Sequence, residues 1–287
     1  MRPILVIGGM NMDILGLPEG ELSLRESSIG HVLMRPGGVG RNIAQQLAAL
    51  GAPVELMTVL GSDAFSQALE TSCEKLGIGL QYALRTGHKA CVYLALHDAQ
   101  GDMLAALNDM AAMDALDAAS IRASLPQGAF SACVLDANLS QEALIAAAAH
   151  IQAPLIADPV SSDKALRLRP ILHQLTALKP NLQEARRLSG RQSPQEAAAA
   201  LLDIGVKQVF ISLGAQGLYY ASASASGLLP ALKVPLSPAT GAGDAMVAGL
   251  SLAIARGLDT QAAAIYGRQC ATDHLINSSA DAQPNHQ

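Results

Sequence analysis

The sequence is poor in aromatic residues and has no excess of positive charge. Its 287 residues include no Trp, five Tyr and three Phe, and 19 Lys and Arg residues stand against 24 Asp and Glu residues. Proteins that bind single strands stack bases on aromatic side chains, and proteins that bind duplexes present a basic stripe to the phosphates. The formal net charge of −5 and the scarcity of aromatic rings therefore argue against a nucleic-acid partner.

Cysteine and long apolar runs are also scarce. The four cysteines form no CxxC pair and no cluster with histidine, so neither a zinc site nor a disulfide framework is predicted. The apolar run near the N-terminus is too short for a signal peptide. The Ala-rich segment 143–157 is interrupted by polar residues and Pro154, and it falls short of the roughly 18 apolar residues of a membrane span. We expect a cytoplasmic protein with no membrane partner.

The pattern of the remaining residues is typical of a globular α/β protein. Short apolar runs bounded by turn residues alternate with longer segments of helical period, which predicts βαβ units around a parallel sheet. The predicted strands are 4–7, 54–60, 132–135, 154–157, 177–178 and 208–212. The predicted helices are 42–50, 64–76, 141–151, 163–174, 182–188, 193–203, 242–256 and 260–274. We expect a doubly wound, mostly parallel sheet with helices on both faces.

Two segments, 13–36 and 84–107, interrupt this alternation. The second predicts two short strands around a turn at Gln100 and Gly101. We expect both segments to pair into a small sheet over one end of the core, which is either a lid or an edge hairpin. The core is then 1–12, 37–83 and 108–276, and 277–287 is a flexible tail. Apolar residues such as Val92 and Leu96 predict a homodimer that forms through this lid.

The segment 237–250, SPATGAGDAMVAGL, carries the most chemical information. Gly241, Ala242 and Gly243 directly precede a predicted helix, so their backbone N–H groups can point at an anion without obstruction by side chains. Asp244 follows and is placed to accept a proton from an attacking hydroxyl, as a general base. The alternative is a tight turn in which Asp244 is an ordinary acid of the first helical turn.

A second glycine-rich segment, 36–61, begins PGGVGRN. Its glycines allow a ligand to approach the backbone, and Asn42 either caps a helix or turns its amide toward a sugar hydroxyl. The GKS or GKT of a P-loop is absent. Gly8 and Gly9, after the first strand, lack the third glycine and the helix of a dinucleotide fingerprint, which argues against a nicotinamide oxidoreductase.

Together the two segments resemble the signatures of the PfkB family of carbohydrate and nucleoside kinases, also called the ribokinase family. The first signature matches at Gly37, Gly38, Asn42, Gly51 and Gly61. The second matches over 240–244, although its usual leading Asp-Thr is here Pro238 and Ala239. The resemblance extends from residue 8 to about residue 275. It implies a ribokinase-like fold and an ATP- and Mg²⁺-dependent kinase.

The resemblance also implies roles for individual residues on the acceptor side. Asn11 and Asp13 match the family residues that hold sugar hydroxyls, and Gly38 and Asn42 complete the ribose pocket. The alternative for Asn11 and Asp13 is an Asx turn that ends the first strand.

On the ATP side the resemblance implies a second set of residues. Asn181 and Glu184 match the family N-x-x-E, which organises Mg²⁺ and phosphate through water, and otherwise they are only a helix start. The expected ATP-binding residues are Asn181, Ser212, Gly214, Gly217, Thr240 and Gly243. A plain β-turn is the alternative for 212–217. The change at 238–239 removes an expected ligand of a monovalent cation, so potassium dependence stays open.

Several shorter segments, including MNMDI, LNDM, LDANLS and DPVSSDKA, resemble the pseudouridine kinases most within the family. This implies transfer of the γ-phosphoryl group of ATP to the 5′-hydroxyl of a ribosyl nucleoside, pseudouridine above all. Asp109 and Asn138 are then expected beside the substrate. Lys89 and Tyr93 of the lid would contact the base, with core packing or edge exposure as their alternative. A ribokinase-like sugar kinase, another nucleoside kinase and a non-catalytic ligand-binding member of the fold remain open.

Overall fold

The computed structural model describes residues 1–23, 25–233 and 241–281, and its elements are numbered here in chain order. The strands are β1 (Ile4–Ile7), β2 (Asn11–Pro18), β3 (Gly30–Gly37), β4 (Val54–Met57), β5 (Val59–Leu60), β6 (Leu84–Arg85), β7 (Val92–His97), β8 (Met103–Asp109), β9 (Ala132–Asp136), β10 (Leu155–Asp158), β11 (Ala177–Leu178), β12 (Gln208–Ser212), β13 (Leu218–Ser222) and β14 (Ser226–Leu229). The α-helices are α1 (Val39–Ala49), α2 (Ala64–Lys75), α3 (Ala118–Ser124), α4 (Gln141–His150), α5 (Ser162–Ala165), α6 (Leu182–Ser189), α7 (Pro194–Ile204), α8 (Ala242–Ala255) and α9 (Thr260–Asp281).

The larger sheet has the strand order β14-β13-β12-β11-β10-β9-β1-β4. Its strands from β12 to β4 pair in parallel, and β13 and β14 are antiparallel. Successive residues of a strand point to opposite faces, so Ile4 and Val6 pack with α1, α8 and α9, whereas Leu5 and Ile7 pack with α4, α6 and α7. The α/β fold with helices on both faces, as predicted, is confirmed.

A smaller second sheet has the strand order β3-β2-β7-β8. Strands β2 and β7 pair in parallel, and the two outer pairs are antiparallel. Its strands come from the two segments that interrupt the helical alternation, extended by a few residues to Asn11, Gly37 and Asp109. The predicted small sheet is confirmed.

The carboxyl ends of β1, β9, β10, β11 and β12 meet at one edge of the larger sheet. Strand β1 pairs with β4 on one side and β9 on the other, so the direction of winding reverses beside β1. Ligands of open α/β sheets bind at this kind of switch point, because the loops there leave in opposite directions. The second sheet grows directly from this point, since β2 follows β1 after three residues.

The structure differs from the sequence prediction in four places. The predicted strand 54–60 divides at Thr58, and β5 pairs with β6 instead of continuing in the larger sheet. The predicted helix 163–174 is α5 followed by a 3₁₀ segment, Leu166–Gln174, which contains Pro170; proline has no N–H for an α-helical hydrogen bond. Helix α9 continues to Asp281, five residues into the predicted tail, and 282–287 lie outside the described residues. Helix α3 and strands β13 and β14 were not predicted. No helix in the described ranges has the length and apolar character to cross a membrane.

Candidate active site

Asp244 lies in the first turn of α8, where the two glycine-rich segments meet. The helix begins after Gly241, whose φ of 96° is favourable only for glycine, and Ala242 and Gly243 form the start of the first turn. The Nδ2 of Asn42 on α1 donates a hydrogen bond of 3.0 Å to Oδ2 of Asp244, across 202 residues of sequence. Two residues predicted separately from two motifs are therefore in contact.

The surroundings of Asp244 raise the pKa of its carboxyl group to about 7. Burial is the largest cause, and the charges of Asp158 and Asp136 act in the same direction. The hydrogen bond from Asn42 and the charge of Lys179 lower the pKa and offset part of this effect. A carboxylate that titrates near neutral pH is suited to accept a proton from a hydroxyl group.

Lys179, at the carboxyl end of β11, supplies the buried positive charge of the site. Its Nζ lies 3.3 Å from Oδ2 of Asp158 at the end of β10. Burial disfavours the ammonium ion, but the carboxylates of Asp158, Glu184 and Asp244 outweigh burial and raise the pKa of Lys179. The Nζ would be 3.2 Å from a Cβ built on Gly243, so the ammonium group adjoins the N-terminal turn of α8. Lys179 was not among the predicted site residues, although its position two residues before Asn181 is a signal that could have pointed to it.

Asp136 joins the loops that follow β1 and β9. Its Oδ2 accepts from the backbone N–H of Gly9 at 2.8 Å, and its Oδ1 accepts from the N–H of Asn138 at 2.9 Å. Complete burial raises the pKa of Asp136 to about 6 against these hydrogen bonds. Asn138 in turn accepts a hydrogen bond of 2.7 Å from Nζ of Lys164. Asn138 thus lies beside Gly9, near the start of β2, and its contact with a substrate stays a prediction.

Asn11 and Asp13 lie at the base of the second sheet and contact each other. The Nδ2 of Asn11 donates a hydrogen bond of 2.6 Å to Oδ1 of Asp13, and Nε of Arg35 is 3.7 Å from Oδ2 of Asp13. Arg35 also lines a cavity of about 130 Å³ that reaches Asp244. Its lining residues are Arg35, Asn42, Gln45, Gln46, Gly241, Asp244 and His274. The cavity therefore connects the predicted acceptor side with the predicted base.

Gly38 brings these parts together because it permits a close approach of two backbone segments. It has a φ of 98°, and a Cβ there would lie 2.5 Å from the carbonyl oxygen of Gly9 and 2.7 Å from Cα of Met10. The N–H of Arg41 donates to the same carbonyl of Gly9 at 3.1 Å. Only glycine fits here without moving the loop after β1.

The remaining predicted acceptor residues lie farther from Asp244. Tyr93 is in register with Asp13, so it shares their face of the second sheet, and its hydroxyl contacts Sδ of Met103. Asp109 is in register with Val92, so Asp109 lies on the opposite face of the sheet. The residue in register with Tyr93 is Asn108, which was not among the predicted site residues. Lys89 is exposed in the loop before β7. No described contact joins Tyr93, Asp109 or Lys89 to Asp244.

The predicted ATP-binding residues lie at the ends of β11 and β12. Asn181 and Glu184 form a reciprocal capping box at the start of α6, with hydrogen bonds of 2.8 and 2.9 Å. The N–H of Ser212 donates to the carbonyl of Pro180 at 3.0 Å, which holds the two strand ends together. Gly214 and Gly217 have φ values of 58° and 105°. Thr240, together with Pro238 and Ala239, lies outside the described residues.

Within the described ranges, no three His, Cys, Asp or Glu side chains form a cluster that could hold a metal ion by themselves. Asp158 and Glu184 are carboxylates that act on Lys179 at this edge. Mg²⁺ is commonly bound through one or two carboxylates together with substrate phosphates and water. The donor set fits a metal that arrives with a phosphate ligand.

The chain is similar in sequence to known carbohydrate and nucleoside kinases. The sequence model of the pfkB family of carbohydrate kinases matches residues 1–281. The pseudouridine kinase of Escherichia coli strain K12 is 37% identical over 262 residues, which cover 86% of this chain and 82% of that protein. The ribokinase of Bacillus subtilis strain 168 is 27% identical over 276 residues, with 95% and 92% covered.

Solved structures show the same architecture. A carbohydrate kinase from Agrobacterium tumefaciens superposes with a TM-score of 0.81 at 27% identity, covering 94% of this chain and 90% of that chain. A ribokinase from Thermotoga maritima superposes with a TM-score of 0.82 at 24% identity, covering 95% and 92%. The match of the family description over nearly the whole chain, with the glycine-rich motifs of both segments in contact, identifies the chain as a member of the pfkB family of carbohydrate kinases.

Proposed function

We propose that this protein transfers the γ-phosphoryl group of ATP to the 5′-hydroxyl of a ribosyl nucleoside, and that its acceptor is pseudouridine. The observation that carries this proposal is the contact between Asn42 and Asp244 at the N-terminus of α8. It joins the acceptor side to a carboxylate with a pKa of about 7. The 37% identity with a pseudouridine kinase over 86% of the chain supports the choice of acceptor.

Asp244 is the general base in this proposal. It removes the proton of the 5′-hydroxyl as that oxygen attacks the γ-phosphorus, and the bond from phosphorus to the β–γ bridging oxygen breaks so that ADP leaves. The amides of 241–243 stabilise the charge that develops on the phosphoryl oxygens. Lys179 adds a buried positive charge beside these amides. Phosphoryl transfer depends mainly on positioning and charge stabilisation, so the chain needs no covalent intermediate.

The acceptor is held by the edge of the larger sheet and the base of the second sheet. Asn11 and Asp13 bind the ribose hydroxyls, and Gly38 and Asn42 complete the ribose pocket. Asn138 lies next to Gly9, and Lys164 donates a hydrogen bond to the side-chain oxygen of Asn138. This amide and this ammonium group can donate hydrogen bonds to the carbonyl oxygens of a uracil ring. The second sheet then acts as a lid that excludes water, which otherwise competes with the hydroxyl.

ATP and Mg²⁺ occupy the edge formed by β11 and β12. Asn181, Ser212, Gly214 and Gly217 would line the nucleotide side, and Glu184 would hold Mg²⁺ through water. The metal neutralises charge on the phosphates when it is bound. A putative ribokinase II from E. coli, solved in complex with ATP and Mg²⁺, has the same fold, with a TM-score of 0.81.

The test is ADP release from Mg·ATP with pseudouridine, uridine, adenosine, inosine, ribose and fructose as acceptors. We expect pseudouridine to be preferred, and Asp244→Asn to bind it with little change while turnover falls by about 10²- to 10⁴-fold. Preference for ribose or another nucleoside would keep the kinase and its base but overturn the acceptor. A folded protein that binds ATP and releases no ADP with any acceptor would overturn the proposed activity.

A further inference from the structure

Arg41 is a buried cation that the proposed reaction does not use. It lies on α1 between Gly40 and Asn42, and only 6% of its surface is exposed. Its Nη1 donates to the carbonyl of Pro36 at the end of β3 and to Oδ1 of Asn42, both at 3.2 Å. Its Nη2 donates to Oγ of Ser72 on α2, also at 3.2 Å. All three acceptors are neutral.

This arrangement lowers the stability of the folded state, which is unfavourable if the role of Arg41 is purely structural. Among the described residues no carboxylate lies within ion-pair distance of the guanidinium, and its Nε is buried without a hydrogen-bond partner. Burial lowers the pKa of Arg41, and the thiol of Cys73 on α2 and the more distant charge of Asp13 only partly oppose this. A buried charge without an ionic partner destabilises a fold relative to an apolar side chain of similar size. The position therefore points to a role that an apolar residue would not fill.

That role follows from the chemistry of the Asn42 amide. The oxygen and nitrogen of an amide have nearly the same shape, so only their partners determine which of them faces where. The guanidinium of Arg41 donates hydrogen bonds and cannot accept them, so the Asn42 atom beside it must be the oxygen. The NH₂ group must then face Asp244, whose Oδ2 accepts it at 3.0 Å. With the amide reversed, the contact with Arg41 would be repulsive, and so would the contact with the ionised carboxylate of Asp244.

We propose that Arg41 is a positioning residue for the base: it fixes the amide of Asn42 so that the NH₂ group donates to Asp244. The inference rests on the proposed function only in so far as Asp244 is the base. The same Nη1 holds the Pro36 carbonyl, so the chain of contacts runs from the end of β3 through Arg41 and Asn42 to Asp244.

Loss of this positioning is measurable because the donated hydrogen bond stabilises the charged form of Asp244. The other charged groups around this carboxylate come from separate elements, and among them only Arg35 adjoins a contact of Arg41, the carbonyl of Pro36. They are Asp136 on β9, Asp158 on β10 and Lys179 on β11, with Arg35 on β3 and His274 on α9 across the cavity. A change in the pKa of Asp244 that Asn42→Ala also produces, and that does not add to the effect of Asn42→Ala, therefore reports on the Asn42 hydrogen bond and not on Arg35.

The experiment compares Arg41→Met, Asn42→Ala and the double variant in the full chain. The pKa of Asp244 is measured by carboxyl ¹³C NMR without substrate, with the signal assigned through Asp244→Asn, and kcat and KM are measured against pH. We expect Arg41→Met to raise the pKa of Asp244 by about 0.5 to 1 unit and to lower kcat about 5- to 10-fold, with KM within about 2-fold. The double variant should match Asn42→Ala, because both changes remove one hydrogen bond. Arg122→Met, on the exposed side of α3, is the matched control.

An unchanged pKa of Asp244 in folded Arg41→Met would overturn the proposal, and so would effects that add to those of Asn42→Ala. If Arg41→Met does not fold, Arg41→Lys decides, because one compact ammonium cannot reproduce the planar fork that reaches Ser72 and Asn42 together. A smaller shift in the same direction supports the proposal, and no shift overturns it. The NMR titration needs no turnover, so it tests the role of Arg41 even if the proposed kinase activity fails.

Discussion

At the scale of one residue, the burial that suits Asp244 to act as a base also destabilises the folded protein when Asp244 is ionised. Its pKa in the folded protein, about 7, lies above the ordinary value of 3.8, so the folded state binds the proton more tightly than the unfolded state. This proton contributes stability below about pH 4, and the contribution is lost as the pH rises through 7. We predict that Asp244→Asn, which cannot ionise, is more stable than the wild type at pH 8 by roughly 2–4 kcal/mol.

Urea unfolding at pH 5 and pH 8 measures this difference. The advantage of Asp244→Asn should shrink by roughly 1–3 kcal/mol at pH 5, because much of the wild-type penalty disappears once Asp244 is protonated. The matched control is Asp203→Asn, at an exposed position of α7, for which we expect no such advantage. An Asp244→Asn variant that is no more stable at pH 8 than the wild type would contradict the raised pKa.

Sequence reasoning identified the residues of the site that belong to short motifs, such as Asn42 and Asp244. It gave no role to Lys179 or Asp136, whose partners lie on neighbouring strands and become neighbours only through the strand order. The loop after β11 is separated from the N-terminus of α8 by more than 60 residues of sequence, yet Lys179 adjoins Gly243. Contacts between residues that are far apart in sequence produce no periodic or local pattern in the sequence from which they could be predicted.

At the scale of single elements, Glu184 at the start of α6 has a structural role in capping the helix and a proposed role in binding Mg²⁺. The two roles can be tested separately. The carboxylate of Glu184 accepts from the N–H of Asn181 in the capping box, and it is also the proposed partner of Mg²⁺. Glu184→Gln keeps an oxygen that can accept the same hydrogen bond but loses the charge. We predict that its free energy of unfolding stays within about 1 kcal/mol of the wild type, whereas the Mg²⁺ concentration for half-maximal activity rises several-fold.

Asn181→Ala is the comparison for this prediction. It removes the cap itself and should lower the free energy of unfolding by about 1 kcal/mol. The stabilities come from chemical denaturation and the metal dependence from activity against Mg²⁺ concentration. If Glu184→Gln shows the wild-type metal dependence, the role of Glu184 is confined to the helix start.

The turn before α1 offers a test of close backbone packing. Gly38 and Gly51 both have positive φ values, 98° and 74°, so alanine is strained at either position. Only at Gly38 would the new Cβ meet backbone atoms, whereas nothing lies within 4 Å at Gly51. We predict that Gly51→Ala costs about 1 kcal/mol and Gly38→Ala at least about 2 kcal/mol more, measured by thermal or urea unfolding. Equal costs would mean that the loop after β1 moves without penalty.

The helices and parallel strands were predictable because their apolar periodicity is strong and their ends carry turn residues. Helix α3 is short, and its main signal is Asp117, which caps it by accepting from the N–H groups of Ala119 and Ser120. Strands β13 and β14 are also short, and the small residues around the turn between them give little alternation of apolar and polar side chains. Pro170 is a visible signal in the sequence, and it marks where the regular α-helix cannot continue.

At the scale of the whole molecule, the two faces of the second sheet differ in character. The strand register puts Asp13, Arg35 and Asn108 on one face. Val32, Met34 and Leu107 lie on the other, where they are 67%, 62% and 70% exposed. An exposed apolar patch of this kind, with Asp109 at its edge, is typical of an association surface. We therefore propose a homodimer in which this apolar face is covered by a second copy of the chain.

The dimer prediction is tested by light scattering and sedimentation of the wild type, Leu107→Glu and Leu228→Glu. We expect the wild type to have the mass of a dimer and Leu107→Glu that of a folded monomer, because a buried carboxylate without a partner opposes association. Leu228 on β14 is also exposed, at 55%, but lies on the larger sheet, so Leu228→Glu should remain dimeric. A monomeric wild type would contradict the proposal, and a dimeric Leu107→Glu would move the interface elsewhere. Because Leu107 faces away from Asp13, loss of the dimer should weaken acceptor binding only if the partner holds the second sheet in position, and the KM of Leu107→Glu measures that contribution.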